Sequence, residues 1–198
     1  MHEPIGVLLA GGRGSRLGGA KALAPLGGKP LICHALGALR GAVGEVAIVA
    51  KSDTALPVLE GVTVWREPPE PHHPLVGIVH ALVCADGRRV LVCAADMPFV
   101  TSELLAALAA ADPAGAPAVV ATSADRGLQP LLGCYQPEAG ALLAAAAREG
   151  TVPVRWVVSG LRPRLFEVTD PQVLFNVNSA EDLAAAEALL AGPRGVGG

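Results

Sequence analysis

Aromatic side chains are scarce in this chain: three Phe, two Trp and one Tyr among 198 residues. A core without large rings has to be filled by Val, Leu and Ala, which suits a parallel sheet covered by helices. No run reaches the ~18 consecutive apolar residues that a membrane span requires, so no helical span is expected. The first apolar run is short and lacks a basic leader, which excludes a signal peptide and makes a cytoplasmic location the expectation. There is no excess of positive charge either. The net charge is −3 and the pI about 5.9, which argues against a nucleic-acid partner. Only four cysteines occur, Cys33, Cys84, Cys93 and Cys134, without a C-x-x-C pair. Reduced thiols are the expected state, and neither a disulfide frame nor a thiolate metal site is indicated.

What is present is concentrated near the amino terminus. An apolar run over residues 5–10 stops at Gly11-Gly12, and the segment 11–19 holds five glycines, Arg13, Arg16 and Ser15. Lys21 closes it. Glycine lets the backbone approach a ligand closely, and successive free N–H groups make a concave anion site. Arg13, Arg16 and Lys21 add three positive charges within nine residues, a combination suited to a polyphosphate. The loop is not a dinucleotide fingerprint, because the glycine spacing misses G-x-G-x-x-G by one and Gly18-Gly19 interrupts any helix start. It is not a Walker A loop either, because Ala20 separates Gly19 from Lys21.

Along the rest of the chain, apolar runs alternate with helical patterns. Strands are expected at residues 5–10, 46–50, 62–65, 89–94, 118–122, 131–136, 164–168 and 174–177. Helices are expected at 30–40, 75–85, 102–111, 138–148 and 181–191, with Pro30 opening and Gly41 ending the first. Thr101 and Ser102 are N-cap candidates, and Ser179 with Asp182 reads as a capping box. This alternation means α/β architecture with a mostly parallel twisted sheet flanked by helices. The less regular stretch from 122 to 168 is expected to hold a small antiparallel excursion and to receive a second substrate. The proline-rich segment 66–74 reads as a rim. One domain over residues 1–191 and a frayed tail over 192–198 follow.

Two further groups bear on chemistry. Asp96 stands just past an apolar strand and before a helix, where open α/β sheets bind ligands. It would supply a hard oxygen to Mg²⁺, which takes one or two carboxylates plus substrate phosphates. Asn176 and Asn178, the only asparagines, would share one face of a strand that feeds the last helix. Glu67, another acid at a strand end, is a candidate ribose or metal contact. His72-His73 lacks a third ligand at metal-binding spacing, and Gln129-Pro130 is either a second-substrate contact or a plain turn.

A glycine loop with Arg and Lys, plus one carboxylate for Mg²⁺, matches nucleotidyl transfer. A phosphate monoester has its second pKa near 6, so as acceptor it is already a nucleophile at neutral pH and needs no strong base. At these residues the chain resembles the molybdenum cofactor guanylyltransferases. The resemblance rests on Leu8-Leu9-Ala10-Gly11-Gly12, Arg16-Leu17-Gly18-Gly19, Lys21 and Asp96-Met97-Pro98-Phe99. It continues in Pro74-Leu75-Val76-Gly77-Ile78, Gln129-Pro130-Leu131-Leu132 and the run from Phe175 through Asn176, Asn178 and Ser179 to Leu183.

That resemblance implies a Rossmann-like nucleotidyltransferase domain that transfers GMP from GTP to molybdenum-bound molybdopterin and releases pyrophosphate. Carried over by position, Leu9, Ala10, Gly11 and Gly12 contact the nucleotide through backbone. Lys21 and Arg16 meet the triphosphate, Asp96 holds Mg²⁺, Glu67 contacts the nucleotide, and Asn176 and Asn178 line the site. GTP and molybdopterin are the implied substrates, with molybdoenzyme maturation proteins as further partners. Three positions depart from the family pattern: Ala20 replaces an acid, Glu67 an aspartate, and His73 a glycine. Gly11-Gly12 favours guanine, since cytosine-specific relatives show L-A-A-G. A cytidylyltransferase, a sugar-phosphate nucleotidyltransferase and a non-catalytic nucleotide-binding adaptor are the competing readings.

Overall fold

Every residue of β6 (Val90–Ala94) and the first four of β1 (Ile5–Leu9) are buried. Strands with no solvent face must lie between two helical layers, and the computed structural model has this arrangement. It describes residues 3–11 and 21–192, so Gly12, Arg13 and Arg16 lie outside the described residues.

The main sheet has seven strands in the order β5 (Thr63–Glu67), β4 (Val46–Lys51), β1, β6, β8 (Gly127–Tyr135), β7 (Ala118–Ser123) and β9 (Arg164–Glu167). β8 alone runs antiparallel, to both β6 and β7; the other neighbours are parallel. Because side chains alternate between faces, Leu8, Ile48, Leu91 and Cys93 pack under α1 (Leu31–Ala42) and α3 (Ser102–Ala110). Val7, Val49, Val90 and Val92 pack on the other face under α2 (Pro74–Cys84), α4 (Ala139–Glu149) and α5 (Val154–Gly160). From β1 the chain builds outward first to β4 and β5, then in the opposite direction from β6. That reversal opens a crevice at the carboxyl ends of β1 and β6.

A smaller unit completes the site. β2 (Pro25–Leu26) and β3 (Lys29–Pro30) form a hairpin whose turn, Gly27-Gly28, has φ of 56° and 76°. Both turn positions lie in the left-handed region that glycine occupies without strain. Leu26 and Leu31 pack with Val177 and with Ala186 of α6 (Ala180–Ala191), and Gly27 N donates to Glu187 Oε1 at 2.8 Å. This cluster brings the segment after Lys21 against the segment that carries Asn178.

Several expected elements differ. Residues 174–177 are not a strand: a short 3-10 turn, Pro171–Leu174, is followed by an extended loop. Both edges of β6 are already paired, with β1 and β8, so the Val177 amide donates instead to the Asp96 carbonyl at 2.9 Å. Asn176 and Asn178 therefore sit on a loop and share no strand face. The first helix starts at Leu31, with Pro30 as its N-cap, and runs through Gly41 to Ala42. Ser102, at the start of α3, packs close against Gly41. α5 had no counterpart in the sequence pattern, being only seven residues that follow Pro153 and end at Gly160. β8 begins at Gly127, four residues early, so Gln129-Pro130 lies in the strand and not in a turn. Glu67 is the last residue of β5, buried, and not part of the rim.

Candidate active site

The carboxyl ends of β1, β4, β5 and β6 surround a crevice of about 520 Å³, within the range of small-molecule sites. Its floor is Leu9, Ala10 and Gly11, fixed on both sides. The Ala10 amide donates to Val49 O at 2.8 Å, and the Ala95 amide donates to Leu9 O at 3.0 Å. These bonds extend the ladder past the strand ends and hold Asp96 over the mouth.

Asp96 and Lys21 form the first charged pair. Lys21 Nζ lies 2.6 Å from Asp96 Oδ2 and donates to Asn178 Oδ1 at 2.8 Å. The three residues come from the turn after the glycine loop, the end of β6 and the entrance to α6. Asn178 is held in turn by the predicted capping box. The amides of Asn178 and Ser179 donate to Asp182 Oδ2 at 2.8 and 2.9 Å, and the Asp182 amide donates to Ser179 Oγ at 3.1 Å. The bond from the Asn178 amide is the main cause of an Asp182 carboxyl held below its ordinary value. Asn176 is half-buried and joins none of these bonds.

The second pair lies across the crevice, at the ends of β4 and β5. Lys51 and Glu67 are 3% and 6% exposed, with Nζ 3.4 Å from Oε1. Lys51 Nζ also donates to the rim carbonyls of Pro68 and Pro71, at 2.7 and 3.4 Å. A Cβ on Gly11 would run into Glu67 Oε1, so only glycine lets floor and wall meet here. Burial pushes the Glu67 carboxyl above its ordinary value, and the Lys51 charge opposes that shift.

Sequence reasoning missed Lys51, although the signal was there. A lysine ending the apolar run of β4 stands at the same strand end as the acid that followed β6.

A sequence model described as the MobA-like NTP transferase domain matches residues 6–163. The chain belongs to this family. It is a nucleotidyltransferase, and the crevice with its two charged pairs lies where an open α/β sheet receives its nucleotide. The molybdenum cofactor guanylyltransferase of Cereibacter sphaeroides is 34% identical, over 94% of this chain and 96% of its own length. The protein of the same name from Rhodobacter capsulatus is 36% identical, over 92% and 94%. Among solved structures, molybdopterin-guanine dinucleotide biosynthesis protein A from Archaeoglobus fulgidus superposes with a TM-score of 0.74 at 23% identity, over 94% of this chain and 98% of that one. The 2-C-methyl-D-erythritol 4-phosphate cytidylyltransferase of Thermus thermophilus does so with a TM-score of 0.68 at 22% identity, over 95% and 99%. Both structural matches speak for the fold.

Of the other sequence-predicted groups in this nucleotidyltransferase, His73 N-caps α2 through Nδ1, which accepts from the Leu75 amide at 3.3 Å, while its Nε2 lies 2.9 Å from Val152 O. His72 Nδ1 pairs with Glu70 Oε2 at 2.8 Å. The two imidazoles thus have separate structural partners. The Gln129 side-chain amide turns back to the carbonyls of Arg126 and Gly127, at 3.3 and 3.0 Å. Cys93 and Cys134 are buried, which pushes both thiols up, Cys134 to about 11.

Does Asp96 suit a divalent cation? Its Oδ1 is buried and has no hydrogen-bond partner among the described residues, while Oδ2 holds the Lys21 ammonium. A carboxylate with one oxygen left over and one already on a cation fits a metal that takes a single protein oxygen plus phosphate oxygens. Among the described residues no group of three or more His, Cys, Asp or Glu is placed to hold a metal ion by itself. The residues present therefore fit a cation carried in with a polyphosphate.

Proposed function

We propose that the chain transfers GMP from GTP to molybdenum-bound molybdopterin, releasing pyrophosphate and forming the guanine dinucleotide cofactor. The observation that carries this reading is the Lys21 ammonium, shared by Asp96 and Asn178 beside a crevice floored by Leu9–Gly11. The relatives above, named molybdenum cofactor guanylyltransferases, support the base and the acceptor.

In this reading an oxygen of the acceptor's terminal phosphate attacks the α-phosphorus of GTP. The bond from that phosphorus to the bridging oxygen breaks, and pyrophosphate leaves with the electron pair. The acceptor's second pKa near 6 supplies the nucleophile, so the protein's task is positioning and charge neutralisation. Leu9, Ala10 and Gly11 face the nucleotide through their main chain, and Gly12, outside the described residues, is assigned to the same contact. Lys21, with Arg16, offsets charge on the triphosphate. Asp96 would hold Mg²⁺, which would supply charge neutralisation at the phosphate oxygens. Glu67 accepts from nucleotide donors on the opposite wall, while Asn178 keeps Lys21 aimed and Asn176 lines the approach.

The test is incubation with labelled GTP, Mg²⁺ and molybdopterin, with CTP, ATP and UTP in parallel. Formation of the guanine dinucleotide with one pyrophosphate per turnover is expected. A clear preference for CTP overturns the guanine assignment, and nucleotide binding without any transfer overturns the reaction.

A further inference from the structure

The described residues contain a second lysine at the crevice, and its surroundings differ from those of Lys21. An ammonium group carries three N–H donors. Lys51 directs them to three acceptors of its own fold: Glu67 Oε1 and the carbonyls of Pro68 and Pro71. At 3% exposure, with all three donors taken, it has none to spare for a phosphate. Its aliphatic stem lies against Gly11, with Cγ 3.7 Å from the position a Cβ would take there.

Glu67, in contrast, is satisfied on one side only. Oε1 faces Gly11 and Lys51, while Oε2 is buried without a hydrogen-bond partner among the described residues, 3.5 Å from where a Cβ on Gly77 would stand. A buried acceptor left unpaired is a stored demand for an N–H or O–H donor. Without the neighbouring ammonium, an acid this buried would take up a proton and lose its acceptor pair.

We propose that Lys51 is a positioning residue of the nucleotide site: it holds the Glu67 carboxylate ionised and turned toward the crevice while clamping the rim at Pro68 and Pro71. The proposal rests on the reading that this crevice takes GTP. Lys51 touches no substrate and acts through Glu67. Glu67 meets charge from β4, as Lys51, and from the rim, as His72. Burial, and after it the Lys51 charge, also holds His80 of α2 below its ordinary value.

The experiment is a double-mutant cycle read by calorimetric binding of Mg²⁺-GTP between pH 6 and 8.5. Lys51→Met weakens binding roughly tenfold at pH 7, in line with the loss of a charge-assisted contact. Glu67→Gln weakens it comparably, and the double variant Lys51→Met/Glu67→Gln binds within about twofold of Glu67→Gln alone. The Lys51→Met loss shrinks as pH rises and Glu67 ionises again. Glu67→Gln, which keeps both His72 and His80, shows no such recovery and gives the baseline. An equal loss from Lys51→Met in both backgrounds, or a loss independent of pH, overturns the proposal. The double variant keeps the test readable if Lys51→Met alone does not fold, since it leaves no buried charge unpaired. CTP, ATP and UTP run alongside separate the two failures. Wild-type binding of another triphosphate overturns the base assignment and leaves the cycle readable, and binding of none overturns both claims.

Discussion

Two lysine–carboxylate pairs face each other across the crevice, and they are built in opposite ways. Lys21–Asp96 joins two distant segments, with Asn178 reaching Lys21 from a third; its side chains are 18% and 24% exposed, and one Asp96 oxygen has no partner among the described residues. Lys51–Glu67 joins the ends of adjacent parallel strands, is sealed, and spends every lysine donor on its own fold. The first can exchange partners with an incoming polyphosphate and its cation at little desolvation cost. The second is fixed before any ligand arrives. The proposed function puts chemistry on the exchangeable pair and orientation on the fixed one, and mutating each pair in turn tests that division.

The largest expected effect is on the open side. Asp96→Asn should lower kcat by about 10³-fold or more while GTP still binds, because charge stabilisation in the transition state is lost and the main-chain contacts remain. Pyrophosphate release and GTP binding, measured on the same preparation, check it. Glu67→Gln should instead raise KM with little change in kcat. A kcat loss of similar size in both variants would erase the division between the pairs.

Stability should show the reverse ranking. Breaking a buried pair by removing one partner costs about 3–5 kcal/mol, because a charge is left buried and unpaired. A part-exposed pair is worth about 1 kcal/mol or less. Lys51→Met should therefore lower the urea midpoint far more than Lys21→Met. The pH dependence has a defined sign. Burial raises the folded-state value of Glu67, so its contribution is most favourable below the unfolded value and is lost as pH rises through the folded one. Removing Lys51 raises it further, so the gap between variant and wild type should narrow as pH falls toward the ordinary carboxylate range.

Next in size, Lys21→Ala should weaken GTP binding by roughly ten- to a hundredfold, the equivalent of one or two charge-assisted hydrogen bonds. Binding of GMP should change much less, since GMP lacks the β- and γ-phosphates. Parallel titrations of the two nucleotides check this. Equal losses would make Lys21 a fold residue like Lys51 and remove the contrast.

How much of this could be read in advance follows from where each residue gets its instructions. β1 and β6 are uninterrupted apolar runs bounded by Gly11 and Asp96, so local pattern alone marked both the strands and the acid beyond them. Lys21 was marked by its glycine-rich neighbours and Asp182 by the Ser179 spacing. The stretch 174–177 misled because Leu, Phe and Val at strand-like spacing are buried here by a different route. Val177 packs into the small cluster with Leu26 and Leu31, and its amide is taken by the Asp96 carbonyl. Lys51 escaped because its partner lies in the next strand across. Its burial depends on a parallel pairing, Lys51 opposite Glu67, that only the sheet register reveals.

The smallest predicted effect concerns how the open pair is aimed. Ser179→Ala removes the oxygen that accepts the Asp182 amide, and loss of an N-cap costs about 1 kcal/mol of stability. The functional consequence travels one residue back along the chain. Asp182 holds the Asn178 amide as well as that of Ser179, and Asn178 Oδ1 is the second acceptor on Lys21. A loosened cap lets Asn178 wander, and Lys21 then collapses onto Asp96 alone, the contact that the proposed function has it give up to a triphosphate. Ser179→Ala should lower kcat/KM for GTP by no more than about fivefold, near the value of one neutral hydrogen bond, and Asn178→Ala should produce the same loss without the drop in thermal stability. Combining the two should add almost nothing to the catalytic defect, because they act on one contact in series. Additive losses would mean that Ser179 reaches the site by another path and that Asn178 aims Lys21 without help from the helix behind it.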